Sequence, residues 1–140
     1  MSFPVPNMQG AYVHPGDIII FLSVVLVGPY AAVVGGLGGF IADFIAGAGV
    51  YAPATLVIKA LKALICYLIV SRKPESFGLR LVGMAAGALV MVAGYFLYEW
   101  ALTEQLAAAG VSSLFNLIQA VVGVVPAWLI SPLVKKLHLA

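Results

Sequence analysis

Asn116 and Gln119 lie three residues apart in NLIQAVVGV, so on a helix their amides share one face about one turn apart. Each amide offers a donor and an acceptor, which can glue neighbouring helices or read the edge of a heterocycle. Charged residues sit in equally apolar surroundings: Asp43 in GGFIADFIAG, Lys59 and Lys62 in TLVIKALKALI, and Glu99 in GYFLYEWAL. A buried charge needs a partner, so Asp43 and Lys59 can pair across neighbouring helices, or both can face a polar ligand. Glu99, flanked by Tyr95, Tyr98 and Trp100, reads either as a ligand-binding acid or as an anchor in an interfacial aromatic belt. Asp17 stands near a helix start, where a carboxylate ordinarily answers the helix dipole. His14, three residues earlier, makes with it too sparse a pair for a metal site.

These groups must be held by elements built for lipid. The chain has 140 residues, of which 64% are hydrophobic and only 9% charged, with mean hydropathy +1.14. That is too little polar surface to coat a soluble globule, so the bilayer is its solvent. A net charge of +2 spread over so few ionisable groups is no nucleic-acid footprint. The single cysteine, Cys66, allows no disulfide framework. The opening MSFPVPNMQGAYVHPG lacks a basic region followed by an apolar core, so it reads as a loop and not as a cleaved signal.

Five apolar segments follow, at about 15–28, 29–46, 54–70, 77–102 and 111–134. Together they form one integral-membrane domain, an all-α polytopic bundle. The first segment spans only about 20 Å, short for a crossing. An alternative joins Pro15 to Ala46 into one helix kinked at Pro29, giving four spans. Arg72, Lys73 and Arg80 in one loop and Lys135 and Lys136 near the C-terminus place those two ends on the cytoplasmic side, because TEQLAAAG between them carries no Lys or Arg. Counting back through five spans puts the N-terminal loop outside.

Depth then separates function classes. Asp43, Lys59, Glu99 and Asn116 all fall within roughly 4 to 8 Å of the outer helix ends, with Lys62 and Gln119 a turn deeper. The inner halves, VVLV, ICYLIV, LVGMAAGALVMVAG and VVGVVPAWLI, are almost purely apolar. A channel or proton relay needs polar groups along its whole path. Here they collect on one side and stop, the layout of an outward-facing binding pocket with a dry floor. A secondary transporter would need a coupling-ion site and internal repeats, and an enzyme a nucleophile and base at catalytic spacing. Neither is present in the sequence. GGLGG lacks the spacing and the following Lys-Ser/Thr of a phosphate loop. Ala32, Gly35, Gly36 and Gly39, with Gly83 and Gly87 further on, recur at three- and four-residue spacing, so helix backbones can approach closely there, within the bundle or against a partner.

The run YVHPGDIIIFLSVVLVGPYAAVVGGLGGFIADFIAG, then VYAPATLVIKALKALI, then NLIQAVVGV resembles the substrate-binding S components of energy-coupling factor (ECF) transporters, especially the riboflavin-type vitamin group. The resemblance spans nearly the whole chain. It implies a six-helix bundle in a prokaryotic plasma membrane, of which the N-terminal loop and five segments here match everything after the first helix. It further implies a vitamin-sized pocket near the outer face, a membrane T component and a pair of cytoplasmic ATPases as partners, and toppling in the membrane to deliver the cargo. By position, the family's ligand contacts would fall on Tyr12, His14, Tyr51, Lys59, Tyr95, Glu99, Asn116 and Gln119. A branch of the family that binds cobalt or nickel depends on a His-rich N-terminal segment, which this chain does not have. The expectation is therefore a receptor for a small ring-containing vitamin or precursor, with no metal, no cofactor and no chemistry of its own. The rival reading is a membrane assembly subunit whose polar residues only hold helices together.

Overall fold

Gly28 adopts φ +62°, a left-handed conformation that glycine enters at no steric cost, and Pro29 follows it at the start of a short 3-10 turn, Gly28–Tyr30. This breaks the apolar stretch from Gly16 to Ile45 into α1 (Gly16–Val27) and α2 (Ala31–Ile45). The two pack against each other: a Cβ built on Gly35 of α2 would stand 3.2 Å from the Ile20 side chain of α1. On one straight helix those residues would lie more than 20 Å apart, so the stretch folds back on itself at Gly28. The structure is a computed structural model and describes residues 3–4, 12–13, 16–47 and 49–139.

Three longer helices complete the bundle: α3 (Ala52–Val70), α4 (Phe77–Thr103) and α5 (Leu106–Leu139). Among the described residues, four stretches are long and apolar enough to cross a membrane, 16–45 counting as one of them. Helix α3 lies between α2 and α4, α4 packs on α5, and α5 returns to α1. A two-residue ladder pairs Phe3–Pro4 (β1) with Tyr12–Val13 (β2), and β2 rests against α5. The protein is an all-helical polytopic membrane bundle.

Local chemistry explains where the helices stop and bend. The Ser76 hydroxyl caps α4 by accepting from the Leu79 N–H at 3.1 Å, and Glu104 ends it in a left-handed turn, φ 54°. Helix α5 begins at Leu106, earlier than the segment read from Val111, because 107–109 are alanines that extend the helix ahead of Gly110. It also runs through Pro126 and Pro132. Pro132 cannot donate to the carbonyl of Trp128, and the hydroxyl of buried Ser131 does so instead at 2.7 Å. In lipid no water would satisfy that carbonyl.

Polarity is inverted relative to a soluble protein. Val33, Leu37 and Ile41 on α2 and Leu114, Ile118, Val121 and Val125 on α5 face outward, while Asp17, Asp43, Lys59, Lys62, Arg80, Glu99 and Gln119 are buried. Small residues let backbones meet around α3. A Cβ on Gly36 would lie 2.9 Å from the Leu56 carbonyl, and one on Gly87 2.7 Å from that of Lys62. Gly35 of α2 and Gly83 of α4 abut α3 carbonyls in the same way and Gly39 abuts the Thr55 and Lys59 side chains, whereas Gly38 faces open space.

Candidate functional site: a buried polar column

Helical spacing aligns polar side chains into one column. On α3 and its N-cap, Tyr51, Thr55, Lys59 and Lys62 follow at intervals of four, four and three residues; on α4, Met91, Tyr95 and Glu99; on α5, Ser112, Asn116 and Gln119. Each set shares one helix face, and all but half-buried Asn116 are buried. From Tyr51 to Lys62 the column descends about 16 Å, against a hydrocarbon core of about 30 Å.

At its upper end the Tyr51 hydroxyl donates to the Glu99 carboxylate, which also accepts from the Ser112 hydroxyl at 3.2 Å. The Tyr51 ring meets Tyr98 edge-on at 5.9 Å, and Tyr98 donates to the Val50 carbonyl, so the loop before α3 is tied to the end of α4. Burial, and then the neighbouring Glu99 carboxylate, push the Tyr51 phenol well above its usual range. One turn lower, Thr55 donates to Asp43 of α2. Its hydroxyl lies 2.6 Å from that of Tyr95, and with the single Thr55 proton committed, Tyr95 donates to it.

Asp17 is the hub of the lower end. Lys59 donates to its Oδ1, while Lys62 and the Gln119 amide reach its Oδ2 at 2.6 and 3.0 Å. Lys62 also approaches the Met91 sulfur at 3.3 Å and stands 4.6 Å above the Phe21 ring. Both ammonium groups and the carboxylate are essentially without solvent exposure. Beneath them Phe21, Ala63, Cys66, Met84, Ala88 and Val70 form an apolar floor.

Asp17 stands in the first turn of α1, as read from sequence, but its carboxylate also answers Lys59 and Lys62. Helix α1 starts level with these lysines because its turn at Gly28 already lies beside Tyr67, close to the far end of α3. The expected pairing of Lys59 with Asp43 is corrected: Lys59 bonds to Asp17, and Asp43 accepts from Thr55. Of the residues singled out from sequence, Tyr51 and Glu99 touch, Tyr95 bonds to Thr55 one turn lower, and Lys59 and Gln119 meet on Asp17. Asn116 sits between the two ends and makes no hydrogen bond among the described residues. His14 and the side chain of Tyr12 lie outside the described residues. Of the other residues lining the column, Thr55, Met91 and Ser112 were not singled out from sequence, and Lys62 was noted for its depth but not placed among the ligand contacts. Their register with Tyr51, Tyr95 and Gln119 on the same faces was the available signal.

A model of the family described as "ECF-type riboflavin transporter, S component" matches residues 1–137. The chain belongs to this family. As an S component it is a multi-pass plasma-membrane protein and the substrate-binding subunit of a transporter. It is 33% identical over 142 residues to the thiamine precursor transporter HmpT of Lactococcus lactis subsp. cremoris (strain MG1363), covering 96% of this chain and 76% of that one. An uncharacterized protein in a gap 3′ region of Pyrococcus woesei is 36% identical over 127 residues, covering 89% of this chain and 82% of its own. The reading as a helix-packing assembly subunit is not favoured by this membership.

Proposed function

We propose that this S component binds a nitrogen heteroaromatic vitamin precursor in the polar column, entering from the outer side, and passes it inward with a T component and a cytoplasmic ATPase pair. The observation that carries the proposal is Asn116. Its amide shares a face with Ser112, bonded to Glu99, and with Gln119, bonded to Asp17. It is half-buried in an apolar helix and has no hydrogen-bond partner among the described residues. A primary amide offers a donor and an acceptor side by side, the complement of an amino-substituted pyrimidine edge. Above it Glu99, held among the described residues by hydroxyl donors, is ready to accept from an exocyclic amine, and the Tyr51 and Tyr95 rings supply stacking surface. The binding set is thus Tyr51, Tyr95, Glu99, Asn116, Lys59 and Gln119.

The likeness to a thiamine precursor transporter favours a pyrimidine, and the description of the matched family model favours riboflavin as the second reading. Mass spectrometry of small molecules released by denaturing the purified protein separates them. The expected result is a stoichiometric pyrimidine, lost in Asn116→Ala and Glu99→Gln proteins that still unfold cooperatively. Riboflavin in its place would establish the second reading. Variants that lose thermal stability while keeping their ligand would assign these residues to helix packing and sink the proposed site.

A further inference from the structure

Arg80 at the opposite end of the bundle takes no part in the polar column. It is only 4% exposed, yet among the described residues no carboxylate pairs with it and its Nε has no hydrogen-bond partner. A guanidinium carries five donor protons; here Nη1 donates to the Pro74 carbonyl at 2.9 Å and the head lies 5.6 Å from the Phe77 ring. The nearest acid in sequence, Glu75, bonds to Lys135 instead, at 3.0 Å. Arg72, Lys73 and Lys136 stand in the adjoining turn and at the end of α5, so among the described residues five cationic side chains meet one acidic side chain at this end. Arg80 is the fourth residue of α4, turned back toward the positive pole of that helix. A buried, unpaired guanidinium beside a helix N-terminus calls for a multidentate anion, and phosphate fits its planar fork.

Apolar surroundings decide the source of that phosphate. Trp128 stacks on Phe77 at 4.4 Å and its indole donates to the Phe77 carbonyl at 2.9 Å, which fixes an aromatic pair beside the cationic turn. Leu129 and Leu133 extend from it along α5 with about 60% exposure, a surface for acyl chains and not for water. We infer that the turn 71–76, Arg80 and the end of α5 form a binding site for the phosphate headgroup of an anionic phospholipid of the cytoplasmic leaflet. The lipid supplies the missing counter-ion for Arg80 and holds this end of the bundle at the interface.

Trp128 is a built-in reporter. The Trp100→Phe protein, which keeps Trp128 as its single tryptophan, is reconstituted in phosphatidylcholine vesicles containing either brominated phosphatidylglycerol or brominated phosphatidylcholine at equal mole fraction. The expected result is stronger quenching by the brominated phosphatidylglycerol, with an enrichment of about fivefold for each cation engaged. Arg80→Gln removes most of that preference, and Arg80→Lys, which keeps the charge and loses the fork, leaves part of it in a protein more certain to fold. Equal quenching by the two lipids overturns the inference, and so does a preference that Arg80→Gln leaves intact. Loss of the preference on adding inorganic phosphate would make free phosphate the ligand and would overturn the assignment to a lipid.

Discussion

Asp17 answers two ammonium groups with one carboxylate, all of them buried. Removing its charge leaves two uncompensated cations in the bilayer interior, and breaking a buried pair in this way costs about 3–5 kcal/mol. Asp17→Asn should therefore lower the thermal unfolding temperature in detergent sharply, whereas Lys62→Met, which balances the remaining Asp17–Lys59 pair and fills the same volume beside Met91, should be neutral or stabilising. A large loss in both variants would show that Lys62 contributes more than excess charge. Tyr51 gives a test with a definite sign. Its phenol is raised in the folded protein, so the unfolded chain ionises first, near pH 10.0, and stability present below that pH is lost as the pH rises above it. Denaturation followed from neutral to alkaline pH should fall away above about pH 10 less steeply in Tyr51→Phe than in the parent. Single charged or amide residues in apolar runs were legible from sequence because each is costly in lipid, and so Glu99, Lys59, Gln119 and Asn116 stood out. Their pairing was not legible. Whether Lys59 meets Asp17 or Asp43 depends on where α1 ends, and a glycine conformation at position 28 decides that.

At the scale of the helices, stability rests on how closely α2 and α4 approach α3. A methyl added at Gly87 would stand 2.7 Å from the Lys62 carbonyl, a backbone atom that cannot move aside cheaply. Overpacking of this kind costs about 1–3 kcal/mol, and it would also push Lys62 off Asp17. Gly38, on the same helix as Gly35 and Gly36 but with nothing within 4 Å, is the internal control: there alanine removes backbone freedom from the unfolded chain and should be neutral or slightly stabilising. Melting of Gly87→Ala and Gly38→Ala in the same detergent checks both expectations, and equal effects would refute the packing account. Small residues at three- and four-residue spacing announced close helix contacts in the sequence, but spacing could not say which glycines face a neighbour. Gly36 and Gly38 are two residues apart and on different faces of α2. Only the position of α3 distinguishes them.

Across the whole molecule the charges are segregated. The turn 71–76 and the end of α5 carry cations, while the end bearing the loop before α3 and the α4–α5 connection has Asp43, Glu99 and Glu104 and, among the described residues, no surface Lys or Arg. Between them the polar column occupies the acidic-end half of the bundle and stops at the Cys66 and Met84 floor. A receptor that loads from outside must present that acidic end to the exterior, and the charge bias predicts this orientation, because cations near span ends are retained on the cytoplasmic side. Cysteine labelling tests the orientation directly. Cys66 is fully buried and can be replaced by serine to remove background, after which Gly49→Cys and Lys73→Cys place one thiol in an exposed position at each end. A membrane-impermeant maleimide added to intact cells should label Gly49→Cys and spare Lys73→Cys until the membrane is opened. The reverse pattern would put the mouth of the column on the cytoplasmic side, where no extracellular cargo reaches it, and would remove uptake from the functions this bundle can serve.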